Sequence, residues 1–129
     1  MAGLNTLQVY KDAAMDFLTL VVAGRIDEAY QKHVDMQGWH HNVYYPSDFT
    51  SLKQGMMDNH AQFPLKQINI KHVIAEDSLV AVHSNIVMSP GETGVAVVHL
   101  FRFAGDRIAE MWDIGQLIPI DSPNMAGAF

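Results

Sequence analysis

Residues 94–118, GVAVVHLFRFAGDRIAEMWDIGQLI, form two runs rich in β-branched and aromatic residues, broken at Ala104-Gly105-Asp106. Apolar positions repeat every second residue, which reads as two strands, and a break this short joins them only as an antiparallel hairpin. Each run carries one ionisable group in an otherwise apolar row. His99 shares its side with Val95, Val97, Phe101 and Phe103. Asp113 shares its side with Ala109, Met111, Gly115 and Leu117. An unpaired buried aspartate costs several kcal/mol, on the order of the loss for any uncompensated polar group, so such a residue persists mainly when paired or useful.

The same period extends upstream to Pro64. QINIKHVIA (67–75) and SLVAVHSNIVM (78–88) are two further strand-like runs, and the breaks ED and SPGE again permit only hairpins. The second half therefore reads as a four-strand meander. Before Pro64 the period is that of helices. In residues 5–24, Leu7, Tyr10, Ala14, Phe17, Leu18 and Val21 make one apolar stripe, with Asn5 or Thr6 as cap and Gly24 as stop. Ile26, Ala29 and Tyr30 mark a short second helix that ends at the turn residues DMQG (35–38). WHHNVYY (39–45) reads as a short first strand closed by Pro46. A third helix starts at Ser47 or Asp48 and runs to about Gln62, burying Phe49, Leu52, Met56 and Phe63. Gly55 weakens it by ~1 kcal/mol relative to alanine. The expected architecture is α+β: three N-terminal helices packed on a strongly curved antiparallel sheet made of the meander plus the short first strand. The tail after Ile118 is expected to be loosely held unless Phe129 docks.

Composition narrows the function. The 129 residues suit a single domain, 1–129, and 49% apolar content is enough for a real core. The net charge of -6 arises from 14 acidic residues against 8 scattered Lys and Arg, which offers no cationic surface to a phosphate backbone, so nucleic acid is not an expected partner. Cysteine is absent, which removes thiolate chemistry and disulfides. No apolar run reaches the ~20 residues of a membrane helix and the start lacks a signal-peptide pattern, so a cytoplasmic protein without a membrane partner is expected.

On a curved meander, Asp113, His99 and His83 would meet on one concave surface if their rows face the same way; His83 shares its row with Leu79, Ala81, Asn85 and Val87. Ionisable groups in an apolar cup make a candidate site, since burial and neighbouring charge together set their proton affinity. Trp39, His40, His41 and Asn42 approach from the other half of the chain, and only one of the two adjacent histidines enters any given site from an extended segment. The spacings HxH and HExxH are absent, so no metal is expected; nor is there a G-x-S-x-G nucleophile elbow. SPGETG joins two strands and is a hairpin instead of a phosphate cradle. Glu110 and Arg102 fall on the opposite rows, where a solvated or cross-strand ion pair is expected.

HHN at 40–42 followed by a proline and a glycine-containing helix, HVIAEDSLVAVHS at 72–84, GVAVVHLFRF at 94–103 and DRIAEMWDIGQLIP at 106–119 together resemble the SnoaL-like polyketide cyclases of the nuclear transport factor two-like superfamily. The resemblance spans roughly Leu7 to Pro119. It implies a closed cone with three helices lidding a bent sheet, a homodimer, and an intramolecular aldol condensation that needs no metal or cofactor. By position it implies Asp113 as acid/base, with His41 and Asn42 as the site's histidine and asparagine and His83 as a further match. The expected catalytic set is thus Asp113, His99, His83 and His41, and the expected substrate contacts are Asn42, Trp39, Met111, Asn85, Phe101, Met56 and Phe17. The substrate class is small, apolar or carbonyl-containing. Two departures stand out: His99 where relatives often have an aspartate, and Met111-Trp112-Asp113 where they often read His-Trp-Asp. Hydrolysis by water activated at Asp113, and simple retention of an apolar ligand, are the alternative readings.

Overall fold

The structure, a computed structural model, describes residues 3–129. In chain order the elements are α1 (Leu4–Val22), α2 (Ile26–His33), β1 (Val34–His40), α3 (Phe49–Gln62), β2 (Gln67–Glu76), β3 (Leu79–Val87), β4 (Val95–Ala104) and β5 (Arg107–Leu117). Strands β2 to β5 pair successively and antiparallel, as the short breaks require. The three helices lie on one face of the curved five-stranded sheet, whose order is β1-β5-β4-β3-β2.

Three expectations about the sheet need correction. The sheet is open, with β1 and β2 as its edges, so it does not close into a barrel-like cone. It is mixed, because β1 runs parallel to β5. The first strand also begins five residues earlier than the WHHNVYY reading placed it, and DMQG lies inside it. Gly38 accounts for this: a Cβ there would overlap the backbone carbonyl oxygen of Ala109, so only glycine lets β1 approach β5 so closely. The register slips between Val34 and Trp39, which hides the period of two that would have marked a strand. Val43 and Tyr44 form an exposed turn.

Local chemistry sets the helix ends. Asp48 caps α3, its carboxylate accepting from the Ser51 amide at 2.8 Å and the Ser51 hydroxyl at 2.9 Å. Helix α1 starts after Gly3 without a side-chain cap, so neither Asn5 nor Thr6 plays that role. Gly24 adopts φ +83° and turns the chain into α2, as its place after an apolar stripe suggests. Asp16 of α1 accepts from His33 at 2.7 Å and Lys32 at 2.9 Å, which ties α1 to α2 and holds its carboxyl below the usual range. Among the described residues, no helix is long and apolar enough to cross a membrane.

The core lies between the helices and the concave face. Phe17 packs edge-on to Tyr30 at 5.4 Å and to Phe101 at 5.8 Å, and Tyr30 packs edge-on to Phe49 at 6.2 Å. With Phe17 and Phe101 fully enclosed, truncating either to alanine costs about 3–5 kcal/mol. The opposite face is more polar. There Glu110 accepts from Arg102 and Trp39, both at 2.9 Å, and from His41 at 2.6 Å. The tail folds back on this face, where Phe129 packs on His83 at 5.2 Å beneath the Lys71 ammonium.

Candidate active site

Register turns the concave face into layers. Toward the closed end, Val80, Phe101 and Met111 pair across β3, β4 and β5, and His40 of β1 pairs with Met111. The next layer toward the mouth is Val82, His99 and Asp113; beyond it lie Ser84, Val97 and Gly115. Asp113 and His99 are direct cross-strand neighbours, a relation that brings Cβ atoms to within about 5.5 Å. They form a polar layer above the buried floor of Val80, Phe101 and Met111.

Asn42 reaches this layer from the turn after β1. Its Nδ2 donates to Asp113 Oδ2 at 2.8 Å, and its Oδ1 accepts from the Tyr44 amide at 3.0 Å. The turn is held from below by buried His40. Nδ1 of His40 accepts from the Asn42 amide at 3.0 Å, so the ring proton sits on Nε2, which donates to the Pro46 carbonyl at 2.6 Å. Both ring nitrogens are occupied, and His40 brackets the Asn42 turn.

Two further groups face Asp113, and both are uncharged at neutral pH. Burial pushes the His99 imidazole down to about 4, outweighing the opposite pull of the Asp113 carboxylate. Its Nδ1 is buried with no hydrogen-bond partner among the described residues. Tyr30 comes from α2; burial first, and the Asp113 charge second, hold its phenol well above the usual range. Among the described residues its hydroxyl donates only to the Met56 thioether, at 3.2 Å, which is a weak acceptor. Among the described residues Asp113 makes no ion pair. The carboxylate is thus surrounded by an amide, a neutral imidazole and a neutral phenol.

Asp113 is half-buried and opens onto two hollows that share it with Asn42. One, of about 180 Å³, runs under α3 and is walled by Tyr45, Leu52, Gly55, Met56 and Asn59. The other, of about 380 Å³, runs along the mouth past Val43, Tyr44, Val95, Val97, Gly115 and Leu117. Together they form an apolar groove with a polar pocket at one end and a carboxylate at the junction.

No family model and no curated protein sequence matches this chain. Solved structures do. A candidate SnoaL-like polyketide cyclase from Jannaschia sp. CCS1 superposes with a TM-score of 0.72 at 12% identity, covering 90% of this chain and 91% of the other. The fold is NTF2-like. IdmH, a candidate polyketide cyclase from Streptomyces antibioticus, shares this NTF2-like fold with a TM-score of 0.68 at 16% identity, over 83% of this chain and 91% of the other. AclR, a candidate hydroxylase from Streptomyces galilaeus, does so with a TM-score of 0.69 at 20% identity, over 85% and 90% of the two chains.

On this NTF2-like frame the sequence-derived residues separate. Asp113, His99, Asn42 and Met56 come together at the site. His83 does not: it pairs with Val98 on the outer face, stacks on His72 and meets Phe129. The inward residue that pairs with His99 is Val82. His41 and Trp39 also point outward, to Glu110, and Asn85 donates to the Thr93 carbonyl at 3.2 Å. Phe17, Phe101 and Met111 are sealed in the core and line neither hollow at Asp113; His99 and Tyr30 are likewise buried and line neither, but both lie next to the Asp113 charge. Sequence reasoning missed His40 and Tyr30. The row Val80, Val82, Ser84 and Ile86 is more apolar than the row of His83, a legible sign that His83 faces outward.

Proposed function

We propose that the chain is a small-molecule enzyme in which Asp113 removes a proton from carbon next to a carbonyl. The carbon–hydrogen electron pair moves into the enolate, whose developing oxygen charge is met by neutral donors, His99 and Tyr30. In a cyclase-type reaction the enolate carbon then attacks a second carbonyl of the same molecule, and Asp113 returns its proton to the new alkoxide. Neutral donors suit this step because they meet charge as it forms without first neutralising the base. Ketosteroid isomerase, a general example of a carboxylate base working beside hydrogen-bond donors without a metal, shows that such a set suffices.

The observation that carries this reading is the Asn42 amide bond to an Asp113 carboxylate that makes no ion pair among the described residues and opens onto two hollows. Deuterium exchange of the protons next to the carbonyl in small neutral ketones, followed by NMR in heavy water, tests it directly. The parent protein should accelerate exchange, and Asp113→Asn should lose about 100-fold or more of that acceleration. Exchange at the parent rate in the variant would remove Asp113 from the role of base.

A further inference from the structure

We propose that Lys66 and Asn59 form the anion-recognising end of the pocket at Asp113, and that the substrate is an oxo acid whose carboxylate sits at Lys66, whose carbonyl lies near Asp113 and whose apolar chain follows the groove. This deepens the reading of Asp113 as a base and rests on it.

The chain path places the lysine. A turn closed by the Lys66 amide donating to the Phe63 carbonyl at 3.2 Å leads from α3 into β2. In β2 the inward residues are Ile68 and Ile70, both packed against the core, and Lys66 continues that row by two residues toward the mouth. Its ammonium donates to Asn59 Oδ1. Asn59 stands with Leu52 and Met56 on one face of α3, the face that walls the 180 Å³ pocket opposite Asp113. With Oδ1 accepting from the lysine, the Asn59 amide keeps its N–H donors to offer. The pocket therefore has a carboxylate base at one end and, at the other, donors backed by a cation.

Lys66 is incompletely neutralised. Arg25, Lys32, Lys53 and Arg102 each pair with a carboxylate, whereas the partly buried Lys66, like Lys11, Lys71 and Arg107, pairs with none among the described residues. Burial accordingly pushes its amine below the usual range. A ligand carboxylate supplies the missing countercharge in a partly dry site, where a charge-assisted hydrogen bond is about twice as strong as a neutral one. The mouth groove has the opposite character, with Val43, Val95, Val97 and Leu117 offering only apolar contact. A molecule that satisfies both ends is an amphiphile with an acidic head.

Titration calorimetry with 4-oxooctanoate and its methyl ester separates charge from shape, because the two share chain and ketone. The parent protein should bind the acid at least about ten-fold more tightly than the ester, on the scale of one charge-assisted bond. Lys66→Met keeps the apolar stem and removes the charge, so it should erase that preference; Lys66→Arg should retain it. Circular dichroism melting checks that both variants fold. Equal affinity for acid and ester in the parent, no binding of the acid at millimolar concentration, or an unchanged preference in Lys66→Met each overturns the proposal. Ketone exchange governed by Asp113 is read with the neutral ester, so loss of that activity and loss of acid preference are separate results.

Discussion

The side-chain amide of Asn42 donates to the carboxylate of Asp113 over 2.8 Å, joining the turn after β1 to the middle of β5. That one bond fixes which way the base points, since the other neighbours of Asp113, a buried imidazole and a buried phenol, make no hydrogen bond to it among the described residues. The bracket beneath it, His40, keeps the Asn42 turn in place.

Two substitutions at Asn42 separate hydrogen bonding from turn geometry. Asn42→Ala removes a bond to a charged acceptor, worth about 1.5–3 kcal/mol, and should lower ketone exchange by roughly ten-fold or more. Asn42→Asp preserves the oxygen that accepts from Tyr44 but sets a second carboxylate against Asp113. Its thermal stability should match or exceed that of the alanine variant while its rate at neutral pH differs from the parent at least as much. An Asp variant with parent kinetics would show that the amide does not hold the base.

His99 makes stability depend on pH with a definite sign. Its folded value lies near 4 against an ordinary 6.5, so the unfolded chain takes up the proton first. The stability tied to the neutral ring is complete above the unfolded value and is lost as pH falls from about 6.5 toward about 4. At 1.36 kcal/mol per unit this loss is about 3 kcal/mol. Urea unfolding of the parent and of His99→Gln at neutral pH and near pH 4 checks it: the parent should lose more, by about that amount. Parallel losses in the two proteins would contradict the buried neutral imidazole.

Tyr30→Phe should be a nearly silent change in stability, within about 1 kcal/mol, because the hydroxyl gives up only a bond to a thioether. Its effect on rate should be much larger. Losing one donor to a developing oxyanion costs about 100-fold or more. A variant as active as the parent would leave Tyr30 as a core aromatic held by Phe17 and Phe49.

His83→Leu supplies the contrast with His99. The ring lies across the sheet from Asp113, against His72 and the tail, so kinetic constants should stay within about two-fold, the behaviour of a surface change away from the site. What should change is the tail. Proteolysis after Ile118 should be faster, since Phe129 loses an aromatic neighbour. A large rate loss with an intact tail would return His83 to the catalytic set.

Much of the site was legible because a lone ionisable group in an apolar strand row is costly and therefore conspicuous. Asp113 and His99 each stood out in that way, and the short breaks between strands made them neighbours. The same rule misled at His83, whose row contains Ala81 and Asn85 and is the less apolar side of β3. The cross-strand pair of Arg102 and Glu110 was also readable from alternation alone. His40 was not, because the slipped register around Gly38 concealed β1 and hence which of two adjacent histidines faces inward.

By itself, the chain's sequence determined the helices, the meander and the identity of the isolated acid, since each rests on periodicity within a segment or on turns too short to allow another connection. Only the tertiary structure decided which row of each strand faces the helices, where β1 docks, and that Asn42 and Asn59 share a hollow with Asp113. Those facts depend on register slips and on contacts between residues far apart in the chain, and a period of two is the same whichever face is turned inward.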